Sequence, residues 1–474
     1  MKRKPLPILE NILITGLAAE GKSLAHVDGK TLFVPHAVPG DLVNVQLLKK
    51  RKGFLEGRIA QLLVPSKDRV AAFCPHYGTC GGCSRQTLPY PMQLHCKQQQ
   101  VFDQLTRIGK LALPPLQPII GAGQTTHYRN KLEFTFSNNR WLTATETAGG
   151  KPVDERRALG FHIPGRFDKV LDIDRCYLQA ELSNTIRTAI KAYAIQNNLP
   201  FFDLRTQQGL LRNLIIRNTV TGEWMVIVVF AYNDQRACEA LLAFLQQRFP
   251  QITSLLYVIN GKRNDTITDL PVHTFSGRDY MEEQMEDLYF RIGAKSFYQT
   301  NSPQACRLYG IVREMAQLTG NENVYDLYTG AGTIALFVAR QARQVTGVEY
   351  VPEAVEDARR NAGRNNIRNV SFHAGDMKDI LCAGFIQAHG APDVVILDPP
   401  RAGIHPGVAE TLLQLHPRRL IYVSCNPATQ ARDLALLATH YTIEQVQPVD
   451  MFPHTHHVEN VVLMVNGELK VEKG

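Results

Sequence analysis

The motif Asp326-Leu327-Tyr328-Thr329-Gly330-Ala331-Gly332 is the strongest indicator of fold class in this 474-residue chain. It overlaps the apolar run 324–327, which predicts a buried strand, and it leads into a helical pattern at 333–340. Glycines directly after a strand allow the backbone to approach a ligand closely. A strand, a glycine loop and a helix in this order are typical of nucleotide-type cofactor folds.

Beyond this stretch, strand and helix patterns alternate regularly. They fall at 344–348, 352–365, 370–373, 394–397, 420–423 and 429–440. This alternation predicts an α/β fold, a doubly wound and mostly parallel sheet with helices on both faces. The end departs from it, because the runs 441–449 and 458–465 predict adjacent strands with no helix between them. A terminal antiparallel hairpin is typical of class I S-adenosylmethionine-dependent methyltransferases rather than of nucleotide dehydrogenases.

Acidic residues stand at the predicted strand ends, where a nucleoside cofactor would be held. Glu349 ends the second strand, 23 residues after Asp326, where an acidic side chain typically binds both ribose hydroxyls. Asp398 ends the fourth strand, and Asp376 follows the third, where it would either accept from an adenine amino group or cap a helix. The loop reads G-A-G and lacks the third glycine that accompanies a pyrophosphate. We therefore predict a cofactor without phosphates, S-adenosylmethionine.

A cysteine and a carboxylate form a second candidate site near the end of the chain. Ser424-Cys425-Asn426-Pro427 follows the apolar run 420–423, so the thiol stands where a buried strand gives way to a loop. Further on, the stretch Asp450-Met451-Phe452-Pro453-His454-Thr455-His456-His457-Val458-Glu459 ends in a carboxylate just before another strand. A cofactor fold that presents a thiol and a carboxylate is equipped for covalent catalysis on a carbon atom.

Methylation of uracil at C5 is the chemistry that needs this pair. Uracil C5 is a poor nucleophile until a group adds to C6, and a thiolate is suited to that addition. A base must then remove the C5 proton so that elimination frees the cysteine. We predict Cys425 as the nucleophile and Glu459 as the base. A free cysteine has a pKa of about 8.5, so positive groups should favour its thiolate; the candidates are Arg401, His454, His456 and His457.

A Cys/Gly/Pro-rich knot at residues 70–95 is a candidate metal site. Cys74-x5-Cys80-x2-Cys83 places three thiols in one loop, and a fourth ligand would complete a zinc site or a [4Fe–4S] cluster. The fourth candidates are Cys96, in an apolar-patterned helix, and Cys176, in a polar context. Nine cysteines in a chain predicted to be cytoplasmic favour metal binding or catalysis over disulfides.

The N-terminal region is basic and rich in strand patterns. Residues 1–66 contain five short strand patterns, separated by glycines and prolines, which predict a small OB-like β-barrel. Residues 1–70 carry 12 Lys/Arg against 6 Asp/Glu, most densely at Lys49-Lys50-Arg51-Lys52. On a chain of net charge +8, such a module indicates a polyanionic partner, most simply nucleic acid. A solvated surface loop is the alternative for the four-residue run alone.

Composition and hydropathy bound the remaining possibilities. The chain is 44% hydrophobic and 20% charged, as in a folded soluble protein, and its length predicts two or three domains. The longest apolar stretch, 224–232, is shorter than the roughly 20 residues of a membrane helix, so no membrane association is expected. The basic start has no apolar segment behind it, which predicts no signal peptide and a cytoplasmic location.

These residues and motifs resemble the RNA (uracil-5-)-methyltransferase family, specifically the branch that acts on 23S ribosomal RNA. The paired signatures SCNP, with Cys425, and VDMFPHTHHVE, with Glu459, carry the resemblance, which extends over almost the whole chain. The resemblance implies that Cys425 is the nucleophile and Glu459 the base. It also makes a [4Fe–4S] cluster a better expectation than zinc.

The resemblance implies a succession of domains and a set of site residues. The domains are a TRAM barrel at 1–66, an iron–sulfur knot at 67–91, a central RNA-binding α/β region at 92–280 and a methyltransferase domain at 281–474. The helix near 92–112 can pack with the catalytic domain in this family. The implied cofactor contacts are Gln299, Tyr328, Thr333, Glu349, Asp376 and Asp398. The implied cluster ligands are Cys74, Cys80, Cys83 and Cys176.

Gln299 and Thr333 differ from the other cofactor contacts that the resemblance implies. Gln299 would otherwise be only a polar loop residue, so its role depends on the resemblance alone. Thr333 stands where relatives can carry Asn, so this contact departs from the family pattern.

Other enzyme and protein classes fit these residues less well. An amino-group methyltransferase with a D-P-P loop needs an aromatic fourth residue, where this chain has Arg401. An RNA cytosine-5 methyltransferase would carry a cysteine in that loop, where this chain has Pro400. A non-catalytic iron–sulfur RNA-binding protein would leave Cys425 and Glu459 unexplained. A transfer RNA target stays open beside ribosomal RNA, and we expect a monomer.

Overall fold

The computed structural model describes residues 6–143, 146–147 and 155–467, so the basic start at 1–5 lies outside the described residues. The chain divides into two compact units. Unit 1 comprises Met1–Thr125 and Pro399–Gly474, and unit 2 comprises Thr126–Asp398. Within the described ranges, no helix is both long enough and apolar enough to cross a membrane.

Unit 1 begins with a six-stranded sheet in the order β1-β5-β6-β4-β3-β2. Its strands are β1 (Ile8–Leu13), β2 (Gly16–Leu17), β3 (Lys22–Val27), β4 (Lys30–Pro35), β5 (Leu42–Lys50) and β6 (Phe54–Val64). Alternate residues of β3, β4 and β5 are buried in an aliphatic core, because a strand points successive side chains to opposite faces.

The region in which five strand patterns are predicted contains six strands. Strand β1 covers Ile8–Leu13, and the two-residue β2 covers Gly16–Leu17. Asn11 has a positive φ of 54°, and the pairing of β1 with β5 shifts register between Leu9 and Ile12. Such an irregularity breaks the alternation of apolar and polar residues from which a strand is predicted.

Helix α1 (Tyr90–Arg107) follows the Cys/Gly/Pro-rich segment and confirms that a helix lies near 92–112. Residues 65–89 between β6 and α1 contain turns and bends only. The buried face of α1 recurs every four residues, at Gln93, Lys97, Val101 and Leu105. The helix packs against the helix Pro427–Leu437 and the strand Tyr441–Val449.

Unit 2 begins with a mixed seven-stranded sheet in the order β13-β12-β11-β10-β7-β8-β9. Its elements are β7 (Lys131–Ser137), β8 (Ala158–Ile163), β9 (Arg166–Asp172), α2 (Glu181–Gln196), β10 (Leu211–Asn218), β11 (Trp224–Phe230), α3 (Gln235–Arg248), β12 (Ile252–Ile259) and β13 (His273–Gly277). Apolar side chains of α2 and α3 share one core with the sheet, and β11 is buried throughout. The predicted mixed α/β region is therefore present.

The rest of unit 2 alternates strands and helices as predicted. Its elements are β14 (Tyr280–Met285), β15 (Leu288–Gly293), α4 (Ser302–Ala316), β16 (Asn323–Leu327), α5 (Thr333–Ala339), β17 (Gln344–Glu349), α6 (Pro352–Arg364), β18 (Val370–Ala374), α7 (Met377–Ile380), α8 (Ala383–His389) and β19 (Val394–Leu397). Strands β14 and β15 form a hairpin. Strands β18, β17, β16 and β19 are neighbours in that order and all parallel, so their carboxyl ends meet at one edge.

Unit 1 ends with a three-stranded antiparallel arrangement. Its elements are α9 (Pro406–Leu415), β20 (Arg419–Ser424), α10 (Pro427–Leu437), β21 (Tyr441–Val449) and β22 (Glu459–Asn466). Strand β22 lies between β20 and β21 and is antiparallel to both. This arrangement confirms the predicted terminal antiparallel hairpin.

The predicted domain boundaries follow chain order, whereas the compact units do not. Unit 1 joins the first 125 residues to residues 399–474, since α1 packs against α10 and β21. Domain boundaries were predicted from changes in composition along the chain. Such changes do not indicate which distant segments pack together. The four domain ranges therefore stay predictions.

Candidate active site

Unit 2 presents a glycine turn at the carboxyl end of β16. Tyr328, Gly330 and Gly332 have positive φ angles of 66°, 57° and 78°. A Cβ added to Gly332 would lie 3.0 Å from Ala358 Cβ and Phe372 Cζ, so this position favours glycine on both space and conformation. Around Gly330, by contrast, no atom of the described residues lies within 4 Å of an added Cβ. That side of the turn is open to a ligand.

Glu349, the last residue of β17, is tied to this glycine turn. Its Oε2 accepts the backbone N–H of Gly330 at 3.0 Å, and its Oε1 accepts that of Val351 at 3.0 Å. Each carboxylate oxygen keeps a further lone pair, which a ribose hydroxyl can use as an acceptor. The predicted ribose ligand therefore lies beside the predicted glycine loop.

Asp326 and Asp398 occupy the ends of two neighbouring parallel strands. Asp326 is fully buried; its Oδ2 accepts from Thr329 Oγ1 at 2.5 Å and from the Ala335 N–H at 3.0 Å. Its Oδ1 has no hydrogen-bond partner among the described residues. Burial raises the pKa of Asp326 to about 7, and burial with the nearby Asp326 raises the pKa of Asp398 to about 7. A positively charged ligand at this edge would favour both carboxylates, so the site fits a cationic nucleoside cofactor.

Thr333 and Gln299, two further predicted cofactor residues, are held by neighbours in unit 2. Thr333 begins α5, and its hydroxyl lies 3.4 Å from the Tyr309 hydroxyl. Gln299 lies between β15 and α4, and its backbone carbonyl accepts from Asn130 Nδ2 at 2.9 Å. The same Asn130 amide donates to Ser302 Oγ at 2.8 Å. A buried side chain thus fixes the backbone around Gln299.

Asp376 caps helix α7. Its side chain accepts the Lys378 N–H at 3.2 Å and pairs with the Lys378 ammonium at 3.1 Å. The helix-capping alternative raised by the sequence therefore holds. A carboxylate has about four acceptor positions, so capping leaves capacity for an adenine amino group.

In unit 1, the antiparallel pairing of β20 with β22 ends next to Cys425 and Glu459. Ser424 is paired with Asn460, which is the last pair of this register. Cys425 directly follows Ser424, and Glu459 directly precedes Asn460 as the first residue of β22. The two residues predicted for catalysis therefore adjoin the same end of one strand pair.

Cys425 stands between the end of β20 and the start of α10, held by the residues of its own motif. Ser424 Oγ accepts the Asn426 N–H at 3.1 Å, and Asn426 Oδ1 caps α10 by accepting the Ala428 N–H at 3.2 Å. Asn426 Nδ2 donates to the Arg401 carbonyl at 3.1 Å. Cys425 is half-buried, and the adjoining helix N-terminus carries partial positive charge that favours a thiolate. Glu459 is only 5% exposed.

Two of the histidines predicted to supply positive charge near Cys425 lie in surroundings that disfavour such a charge. Burial lowers the pKa of His454 to about 4. Burial, together with the nearby Arg85, lowers the pKa of His456 below its usual 6.5. Burial disfavours the imidazolium form, which argues against His454 and His456 in this role.

The predicted cluster ligands are divided between the two units, with Cys74, Cys80 and Cys83 in unit 1 and Cys176 in unit 2. Across residues 6–143, 146–147 and 155–467, no three His, Cys, Asp or Glu side chains are grouped so as to hold a metal ion. The donor set itself, four thiols, has the chemistry that iron–sulfur clusters use. Asn184 holds the backbone of Cys176 on both sides, accepting its N–H at 2.8 Å and donating to its carbonyl at 3.0 Å.

Cys96, the alternative fourth ligand, lies on α1 in contact with Arg85. Burial raises the pKa of its thiol, and the Arg85 guanidinium hydrogen-bonds it. Arg85 is itself only 2% exposed. The Cys96 thiol therefore has a partner in a residue that stands two positions after Cys83.

Sequence reasoning missed a buried ion pair beside the 450–459 stretch. Lys97 Nζ lies 2.6 Å from Asp450 Oδ1, and neither side chain is exposed. The one available signal is that Lys97 falls on the apolar face of α1, four residues before Val101. A single lysine in such a stripe is insufficient to identify its partner.

Two families and several relatives match this chain. Residues 270–466 match the family described as tRNA (Uracil-5-)-methyltransferase, and residues 10–60 match the TRAM domain. A protein of Porphyromonas gingivalis named "uncharacterized RNA methyltransferase" is 59% identical over 459 residues, covering 95% of this chain and 99% of its own. A protein of Bacteroides thetaiotaomicron with the same name is 57% identical over 451 residues, covering 94% and 99%.

A solved structure is similar over nearly the same length. It is the crystal structure of Pyrococcus abyssi tRNA (uracil-54, C5)-methyltransferase in complex with S-adenosyl-L-homocysteine. The TM-score is 0.74 at 26% sequence identity, with 96% of this chain and 100% of that chain covered. This similarity confirms the predicted class I methyltransferase fold, and the TRAM match confirms the N-terminal barrel-like region. The chain therefore belongs to the S-adenosylmethionine-dependent RNA (uracil-5-)-methyltransferase family.

Proposed function

We propose that the enzyme methylates C5 of a uridine through a covalent bond between Cys425 and C6 of the base. The observation that carries this proposal is the antiparallel register of β20 and β22, in which Ser424 pairs with Asn460. That register favours a thiol and a carboxylate acting on one ring. Family membership supplies the reaction, and these two side chains are the groups with the chemistry to perform it.

In the proposed reaction, the thiolate of Cys425 adds to C6 and the ring electrons move to C5. S-adenosylmethionine, when bound, supplies the electrophilic methyl group that C5 takes up. The C5 carbon then carries both the methyl group and its original proton. Glu459 removes that proton, the C5–C6 double bond re-forms, and the C6–sulfur bond breaks to release Cys425 as a thiolate.

The cofactor is proposed to lie at the carboxyl edge of β16–β19. Glu349 would accept from the ribose hydroxyls, and the open side of Gly330 would face the ligand. Asp398 would face its positive charge, since a cation favours a carboxylate in a buried setting. The full set of proposed contacts is Gln299, Tyr328, Thr333, Glu349, Asp376 and Asp398.

The TRAM strands are proposed to add affinity for the RNA backbone. Lys49, Lys50, Arg51 and Lys52 are all exposed at the end of β5 and in the turn after it. Lys49 is also paired with Glu56 at 2.8 Å, which leaves the next three cations as the stronger candidates. Basic side chains on such a surface bind phosphates largely without regard to sequence.

The proposed target is a uridine of 23S ribosomal RNA. The enzyme is proposed to act in the cytoplasm and as a monomer. A TRAM barrel combined with a cysteine knot favours ribosomal RNA. A transfer RNA uridine is the second candidate, because the similar Pyrococcus abyssi enzyme is a tRNA (uracil-54, C5)-methyltransferase.

The target can be tested by mapping 5-methyluridine in both RNA classes. We expect a strain lacking the gene to lose 5-methyluridine at a position in 23S ribosomal RNA, and wild type but not Cys425→Ala to restore it. Loss from transfer RNA alone would support the second candidate. Unchanged 5-methyluridine in both classes would contradict the proposed function.

We also propose that Cys74, Cys80, Cys83 and Cys176 hold a structural [4Fe–4S] cluster. The x5 and x2 spacings and the firmly held backbone of Cys176 support this set. Anaerobically purified protein should contain about four irons per chain. Cys176→Ser should lower the iron content, whereas Cys96→Ser, the matched control, should not. Zinc without iron, or full iron in Cys176→Ser, would contradict the cluster.

A further inference from the structure

The loop that leads to Glu459 is anchored at its first residue by a buried ion pair. Lys97 Nζ lies 2.6 Å from Asp450 Oδ1 and donates to the Phe452 carbonyl at 3.1 Å. Asp450 Oδ1 also accepts the Phe452 N–H at 3.0 Å, and Asp450 Oδ2 accepts from the Tyr90 hydroxyl at 2.8 Å. One lysine and one tyrosine of α1 therefore fix the backbone at 450–452.

A second anchor holds the middle of the same loop at His454. Its backbone N–H donates to Gln93 Oε1 at 2.9 Å, and its ring Nδ1 lies 3.2 Å from Gln93 Nε2. Its carbonyl accepts the backbone N–H groups of Ser84 at 2.9 Å and Arg85 at 3.1 Å. His454 has a positive φ of 64°. A non-glycine residue keeps such a conformation only where its surroundings determine it.

These anchors act on the residues that close the loop. Val449 and Glu459 are register partners of β21 and β22, so residues 450–458 form the connection between them. Asp450 directly follows Val449, and a shift at Asp450 is transmitted to the pair that includes Glu459. Glu459 is the first residue of its strand, where the ladder on one side ends.

Stability alone does not account for the choice of an ion pair here. Two fully buried charges must be desolvated, and apolar side chains of similar volume often stabilise a fold equally well or better. An ion pair with three further hydrogen bonds fixes the positions of the bonded groups, because each bond has a narrow range of distance and angle. This favours a role for the pair in setting the conformation of the loop.

We propose that Lys97 and Gln93 are positioning residues for Glu459, holding the 450–458 loop so that the carboxylate stands opposite Cys425. The proposal rests on the proposed function, in which Glu459 removes the C5 proton. It makes the helix that follows the cysteine knot part of the catalytic architecture. The affected step is the last one, release of the adduct, and not the initial attack by Cys425.

Lys97→Met tests this role with Arg107→Met as the matched control. We expect Lys97→Met to lower kcat by about 100-fold, the cost of a misplacement of roughly 1 Å. KM for RNA should fall with kcat, because the slowed step follows methyl transfer. The fraction of enzyme bound covalently to RNA on a denaturing gel should rise. Arg107 is on the same helix, is exposed and pairs with Asp103, so Arg107→Met should change neither quantity.

A double variant separates positioning from stability. Lys97→Met leaves the Asp450 charge unpaired, whereas Lys97→Met with Asp450→Leu removes both charges and should recover Tm. If positioning is the role, kcat stays low in the double variant although Tm recovers. Recovery of kcat together with Tm, or a rise in KM at normal kcat, would overturn the proposal.

Two further variants keep the outcome decisive. Gln93→Met removes the bonds to His454 without leaving a buried charge, so it tests the same role if Lys97→Met does not fold. Its kcat should also fall while the adduct accumulates, and normal values of both would overturn the proposal. Glu459→Gln serves as the reference. If Glu459→Gln forms no adduct, the proposed function fails, because Glu459 is then not the base. If Glu459→Gln forms the adduct but Gln93→Met behaves as wild type, only the positioning role fails.

Discussion

Replacing Cys425 with alanine is expected to lower methyl transfer by about 10⁴-fold or more, a loss typical of removing the nucleophile in covalent catalysis. Without addition at C6, C5 of uracil stays a poor nucleophile whatever else is bound. The variant should still bind RNA and S-adenosylmethionine, because the proposed contacts to both are other residues. Transfer of a labelled methyl group to RNA measures the first effect, and gel-shift and calorimetric titrations measure binding.

The covalent step provides the control for this prediction. Wild type should form a denaturation-resistant complex with RNA that carries 5-fluorouridine at the target, since fluorine cannot leave C5 as a proton does. Cys425→Ala should form none. Cys382→Ala removes an exposed thiol at the start of α8 and should behave as wild type. A covalent complex in Cys425→Ala would show that another residue is the nucleophile.

Glu459→Gln is expected to stop the reaction at its last step, the elimination that releases the adduct. Glutamine keeps the shape of the side chain but cannot take the C5 proton, so methyl transfer proceeds and elimination does not. Turnover should fall by about 10²- to 10⁴-fold, the usual contribution of a general base. With unmodified RNA, a methylated protein–RNA adduct should accumulate and be visible on a denaturing gel. Neither wild type nor Cys425→Ala should show this adduct.

A matched variant and an alternative base complete this test. Glu444→Gln changes an exposed carboxylate on β21 and should leave turnover and adduct level as in wild type. Normal turnover of Glu459→Gln without an adduct would show that Glu459 is not the base. His456 or His457 would then be the alternative base, since a neutral imidazole can accept a proton.

The elements that follow from local pattern were predictable. Strand β11 (Trp224–Phe230) lies within the longest apolar stretch of the sequence, 224–232, and a short unbroken apolar run is consistent with a buried strand. The glycine turn at 328–332 was predictable for a similar reason, since positive φ at Gly332 favours glycine. The carboxylate of Glu349 was predictable from its distance in sequence to that turn, which one strand–helix–strand unit sets.

Cys425 and Glu459 could be paired from sequence only through chemistry and resemblance. Each motif reads locally as a strand end beside a loop, and neither contains information on the other. Their common position depends on β22 entering the sheet beside β20, a tertiary event. The domain order shows the same limit, since residues 1–125 and 399–474 form one unit that no linear boundary describes.

Local sequence patterns are sufficient to predict the fold class, the glycine turn and the candidate nucleophile and base. Long-range packing sets the lowered pKa values of His454 and His456, the raised pKa values of Asp326 and Asp398, and the Lys97–Asp450 pair, whose members are 353 positions apart. The two groups of features differ in the range of the interactions that produce them. Strand, helix and turn preferences arise among residues a few positions apart, whereas burial and ion pairing depend on which distant segments pack together.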